Sequence, residues 1–165
     1  MQRTIPATTN GEIPTVGNDA IEILENDHDT IEMLLNELVD GSEAQRAGAL
    51  EQLKTLLTVH NATEENLIYP AIHEIAARPM HAGKLYHEQD DAKVVVWKLS
   101  MLEPGSEDFR ATAVNLREAV LKHVRLEEEH EFPHLRDAAA EKMTTLTTEV
   151  RRFRGTFGIL RPPSA

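Results

Sequence analysis

Apolar residues recur at steps of three and four along most of this chain, in blocks of about 19 to 39, 43 to 77, 80 to 102 and 106 to 139. That period matches one face of an α-helix, so four long helices are predicted, and nothing alternates with the period of two that a half-buried strand requires. The blocks break at Asp40-Gly41-Ser42, at Arg78-Pro79 and at Glu103-Pro104-Gly105-Ser106. Connections this short turn each helix back along the one before it, which predicts an all-α, up-down-up-down four-helix bundle. A shorter fifth helix is expected near Glu141 to Phe153, with Arg151, Arg152 and Arg154 in a solvated end. Residues 1–18 mix Thr, Pro, Gly and Asn without period and are read as a flexible N-terminal arm. This leaves 19–139 as the bundle and 140–165 as a C-terminal helix and tail.

The inward seam of each helix follows from the same steps. It runs Ile21, Leu24, His28, Ile31, Leu35, Leu38 in the first helix and Leu50, Leu53, Leu57, His60, Glu64, Leu67, Ala71 in the second. In the third it is traced as Met80, Gly83, His87, Asp90, Val94, Trp97, Met101, and in the fourth as Phe109, Ala113, Leu116, Val120, His123, Glu127, His130, His134. Every seam turns a histidine inward. Two of them add a glutamate four residues later, one turn away on the same face. Those two helices share a frame, HNATEENLIYP at His60–Pro70 and HVRLEEEHEFP at His123–Pro133, with an aromatic and a proline at matching offsets. Tyr69-Pro70 and Phe132-Pro133 are read as kinks that shape the bundle, because proline lacks an amide hydrogen.

Polar groups in a bundle core cost several kcal/mol unless something satisfies them, roughly 2–7 kcal/mol each. Four histidines and two glutamates therefore need a shared partner. A pair of cations supplies one: imidazole gives a nitrogen lone pair, and a carboxylate can bridge two metals. One His-Glu pair at this spacing is usually a surface pair or a hydrogen-bonded core histidine, and it is the repetition that favours metal. The chain has no cysteine, which excludes disulfides, thiolate metal sites and cysteine nucleophiles. The remaining nitrogen and oxygen donors point to iron, with manganese as a substitute and zinc a poorer fit. The net charge of -11 opposes phosphate backbones and anionic lipid, so neither nucleic acid nor membrane is an expected partner. No apolar run approaches about 20 residues and the first residues do not suit a secretory signal, so the expected address is cytoplasmic.

At these residues the sequence resembles the hemerythrin-like family, also called the HHE cation-binding domain. The matching residues are His28 in NDHDTIEMLL, His60 and Glu64 in HNATEENLIYPAI, His87 in YHEQDDAKVV, and His123 with Glu127 in HVRLEEEHEFPHL. The resemblance implies a non-haem, oxo- or hydroxo-bridged di-iron centre with Glu64 and Glu127 as bridges, His28 and His60 on one iron, and His87 and His123 on the other. It implies a small ligand, O2, NO or H2O2, in redox or oxidative and nitrosative stress chemistry, with catalase-like peroxide decomposition as the enzymatic variant. The alternative is an iron-responsive sensing or storage module, and the expected state is a monomer or weak homodimer. Oxygen-carrying hemerythrins place a further histidine where this chain has Gly83, and step five residues to an aspartate where it has Glu127 four residues after His123. Reversible oxygen carriage loses weight accordingly. Asp90, Asp91, His130 and His134 are candidates to line the pocket. A ferritin-like reading rests on Glu25 to His28 and Glu127 to His130, but it ignores His60, His87 and His123.

Overall fold

The computed structural model describes residues 17–159, and among them every regular element is helical. Residues 1–16 of the expected arm and 160–165 of the expected tail lie outside the described residues. Helix α1 spans Ala20–Asp40 and α2 spans Glu43–Thr63. The chain then widens into a π turn, Glu64–Ile68, and continues as α3, Tyr69–Glu74. Helix α4 is Pro79–Leu99. The second half repeats the device: α5, Glu107–Leu126, a π turn at Glu127–Glu131, then α6, Phe132–Ala138. Helix α7, Met143–Ile159, starts two residues later and runs further than the sequence suggests.

Local chemistry accounts for the boundaries. Asp19 caps α1 by accepting from the Ile21 and Glu22 amides at 3.0 and 2.9 Å, Ser42 and Gln45 form a reciprocal capping box, and Ser106 accepts from Phe109 at 3.1 Å. The π turns come from the prolines. A proline inside a helix removes one amide and drives its ring against the carbonyl four residues back. Here the amide just before each proline reaches back five residues, Tyr69 to Glu64 and Phe132 to Glu127, and the wider turn makes room.

Helix α1 packs on α2 and α5, α4 packs on α3 and α5, and α7 lies against α1 and α2. The interior divides into two apolar clusters. Ile21, Leu24, Ile68, Tyr69, Leu85, Phe132, Leu135 and Val150 belong to one, and Ile31, Leu35, Leu53, Leu99, Phe109 and Leu116 to the other. Along α1 and α4, and from α2 and α5 into the π turns and helices that follow them, the chain passes from one cluster to the other, and the buried residues at the crossing are polar.

The expected seams of α1, α2 and α5 agree with the observed burial as far as Glu64 and Glu127, except that Leu57 is half-buried and Leu56 takes the core place. Beyond those points each π turn shifts the register. Ile68, Tyr69, Ile72 and the expected Ala71 fill the core after the first, and Glu131, Phe132 and Leu135 after the second, while His130 and His134 are exposed. The α4 seam needs a larger correction. Met80, Val94, Trp97 and Met101 are 65–85% exposed, and the buried stripe is Ala82, Leu85, Gln89 and Leu99.

Candidate metal centre

Five of the six expected ligands converge where the two apolar clusters meet. His28, His60, Glu64, His123 and Glu127 are all buried, the two glutamates completely. His28 Nε2 lies 3.3 Å from Glu127 Oε2 and 3.9 Å from Glu64 Oε1. His60 Nε2 is 3.2 Å from Glu64 Oε2, and His123 Nε2 is 3.3 Å from Glu127 Oε1. Two groups could each hold a cation: His28, His60 and Glu64, and Glu64, His123 and Glu127. Glu64 belongs to both.

His87, the sixth, is not brought there. Its side chain is 79% exposed and faces Asp91 at 3.7 Å, because α4 turns its other face to the core. That face delivers Glu88 and Gln89 instead. Both serve the centre: the Gln89 amide donates to Glu64 Oε2, and Glu88 Oε2 stands 3.1 Å from His123 Nδ1. Asp90 and Asp91 are exposed, as are His73 and His81, although His81 pairs with the buried Glu131 at 2.7 Å.

All three buried imidazoles are held in the same way. His28 Nδ1 lies 2.8 Å from Glu128, His60 Nδ1 3.1 Å from Asp27, and His123 Nδ1 3.1 Å from Glu88. A carboxylate at Nδ1 keeps the ring hydrogen there and turns the Nε2 lone pair toward the cluster, the arrangement that orients metal-binding histidines. Asp27 is itself anchored from α7: Arg154 donates to its two oxygens at 2.7 and 3.0 Å. Arg154 is thus a buried structural link and not a solvated end. Thr147 secures the same helix by accepting from the Ala20 amide at 3.0 Å.

Sequence reasoning also passed over Tyr69. Its ring is fully buried, and its hydroxyl lies 3.2 Å from Glu64 Oε2, 2.9 Å from Glu127 Oε1 and 3.2 Å from His123 Nε2. The signal was available in the aromatic that precedes each proline, but α-helical stepping puts a residue five positions after Glu64 on another face. Phe132, at the matching place, stacks on His28 with ring centroids 5.8 Å apart.

With every Nδ1 hydrogen committed to a carboxylate, the centre holds three imidazole lone pairs and four glutamate oxygens against the hydrogens of Tyr69 and Gln89 alone. His28 Nε2, Glu64 Oε1 and Glu127 Oε2 have no hydrogen-bond partner although fully enclosed. Buried acceptors in such excess require positive charge. Protons can supply it when no metal does. Burial pulls the His28, His60 and His123 imidazoles down, but the surrounding carboxylates outweigh it, holding His28 well above its ordinary value, raising His60, and bringing His123 to about 9. Glu127 is held well below the usual carboxylate range, burial being overcome by the charge and hydrogen bonds of His123 and His28. Burial and the charges of Glu127 and Glu64 push the Tyr69 phenol well above its ordinary value. These residues fit cations. Beside them lies a cavity of about 30 Å³, lined by Ile31, Leu57, Ala92, Val120 and Val124 and by the polar side chains of His60, Asn61, Glu88, Gln89 and His123. It has room for a water-sized molecule.

Comparison with known proteins agrees with this geometry. A DNA nickase of Nostoc sp. (strain PCC 7120 / SAG 25.82 / UTEX 2576) is 25% identical over 124 residues, which is 74% of this chain and 35% of the nickase. The chain therefore spans about a third of the length of that relative. No solved structure matches this chain. The hemerythrin HHE cation binding domain matches residues 19–135, all of α1 to α5 and most of α6, and the chain belongs to that family.

Proposed function

We propose that the centre binds two iron ions, with manganese as a substitute, and that it binds or reacts with a small diatomic or peroxide ligand. The observation that carries this is the orientation of His28, His60 and His123, each with Nδ1 on a carboxylate and Nε2 turned toward Glu64 and Glu127. When bound, such a pair supplies electrons and Lewis acidity. The chain does the rest. Glu64 and Glu127 each present two oxygens and the negative charge, the imidazoles donate lone pairs without adding charge, and the apolar clusters exclude bulk water. The 30 Å³ cavity next to His60 and His123 has room for a molecule of the size of O2, NO or H2O2.

Metal analysis of the purified chain tests this directly, with close to two irons per chain as the expected result. Visible absorption should then change reversibly with O2 or NO for a binding protein, whereas steady oxygen evolution from peroxide identifies catalase-like turnover. A chain purified from iron-replete cells without metal, and unable to take it up, overturns the proposal. One observation favours the iron-responsive sensing or storage alternative: His60 is tied through Asp27 to Arg154, so the centre reaches the last helix. Under that reading chelation loosens α7 and raises its protease sensitivity, with no turnover.

The alternating up-and-down run of the helices, a monomeric or weakly dimeric state and a cytoplasmic address belong to the same proposal. Among the described residues no helix is long and apolar enough to cross a membrane. The DNA-nicking activity in the relative's name belongs to that protein, and a net charge of -11 opposes carrying it over to this one.

A further inference from the structure

The two groups of the centre are unequal. The first has two imidazoles, His28 and His60, with Glu64; the second has one, His123, with Glu64 and Glu127. Helix α4 does not correct the imbalance, because it contributes Gln89 at the core and leaves His87 in solvent. What faces the second group is Tyr69. Its hydroxyl oxygen lies within 3.2 Å of one ligand atom from each of Glu64, His123 and Glu127.

We propose that Tyr69 is a ligand of the second metal position, so that one metal rests on two imidazoles and the other on an imidazole and a phenolate. The inference rests on the metal-binding reading above. Three features carry it. First, a cation drawn to Glu64 Oε2, Glu127 Oε1 and His123 Nε2 together has the phenol oxygen beside it, since that oxygen already touches all three. Second, the phenol is poorly matched to a purely hydrogen-bonding role. Two carboxylate oxygens, Glu64 Oε2 and Glu127 Oε1, converge on its single hydrogen, and in the neutral ring that a metal requires, with Nδ1 on Glu88, His123 Nε2 makes a third acceptor. Third, the ring is fixed where it stands. It is wholly buried, Tyr86 packs edge-on against it at 4.9 Å, and the π turn aligns it with Glu64. Phe132 holds the matching place in the other copy without a hydroxyl, so the inequality is written into the sequence. On ligation an O–H bond is replaced by an O–metal bond, the proton leaves to solvent, and no electron changes hands.

Ferric loading of the intact chain tests the proposal by spectroscopy, without recourse to activity. The expected result is a phenolate-to-iron charge-transfer band in the visible, with tyrosine ring modes enhanced in resonance Raman spectra excited within it. The chain has two tyrosines, so Tyr69→Phe should abolish both signals and Tyr86→Phe should retain them. Tyr69→Phe should also weaken the second metal equivalent about tenfold or more while the first still binds. Wild-type protein carrying two irons without tyrosine modes overturns this inference alone, as does their persistence in Tyr69→Phe. Failure to take up any metal overturns it together with the di-iron reading. Should Tyr69→Phe not fold, as judged by its helical circular dichroism, the wild-type Raman spectrum decides the question.

Discussion

The two copies of the His-xxx-Glu-Glu frame present the same first atoms to the centre and are supported by different surroundings. His60 is backed by a buried Asp27 that Arg154 clamps from α7, whereas His123 is backed by Glu88, whose side chain is partly open to solvent. The first copy ends in Tyr69 with its hydroxyl in the cluster, the second in Phe132 stacked on His28. Glu128 reaches across to His28, while Glu65 at the matching place pairs with Lys93 on the surface. A repeated motif thus fixes which atoms arrive, and the helices around each copy decide how firmly they are held and what stands beside them.

The strongest way to break the comparison is to remove a carboxylate. Glu64 belongs to both candidate groups and Glu127 to one, so Glu64→Ala should abolish metal binding while Glu127→Ala retains up to one equivalent by metal analysis. Equal loss would make the copies equivalent. Next in size is Arg154→Met, which strands Asp27 as a buried charge and should cost about 3–5 kcal/mol in urea unfolding. Adding Asp27→Asn should recover much of that. Removing the Nδ1 partners comes third: Asp27→Asn and Glu88→Gln should each weaken metal binding about 10–100-fold in competition titrations, the enclosed Asp27 more than the half-open Glu88.

The pH response separates the metal-free and metal-bound forms. In the metal-free protein the raised imidazoles stabilise the fold fully below about pH 6.5, and this is lost as pH climbs through about 9, the value for His123. Asp27 and Glu127 are held low, so their contribution is present above about pH 4 and is lost on acidification. Metal requires bare Nε2 atoms, so its affinity should rise over the range where the metal-free melting temperature falls. Parallel slopes in calorimetry would contradict the assignment of these groups. The smallest effect is expected from His87→Ala, which should leave metal content unchanged and stability within about 0.5 kcal/mol.

How far the sequence could be read varied with the helix. On α1 only one stripe is apolar, so Ile21 through Leu38 identified the core face and His28 with it. On α4 two stripes compete, and the outer one carries the larger side chains, Met80 and Trp97, with Met101 just past its end, so size favours the wrong face and takes His87 with it. What decides the matter is polar matching across the bundle, since Glu64 needs a donor and His123 Nδ1 an acceptor, and Gln89 and Glu88 meet those needs from the other face. Periodicity within one helix cannot carry that information. Tyr69 was hidden for a related reason: a rule of 3.6 residues per turn has no place for a turn that spends one more.

That extra residue has a consequence for how this segment tolerates change. Each π turn is in effect a one-residue insertion: Tyr69 stands where a residue four after Glu64 would stand in an ordinary helix, so deleting one of residues 65–67 would restore ordinary winding and leave everything downstream facing as it does. Ile68, Tyr69 and Ile72 would keep their places in the interior. A single-residue deletion among residues 65–67 should therefore be tolerated far better than one inside α1, α2 or α5, which would swing the downstream face by about 100°.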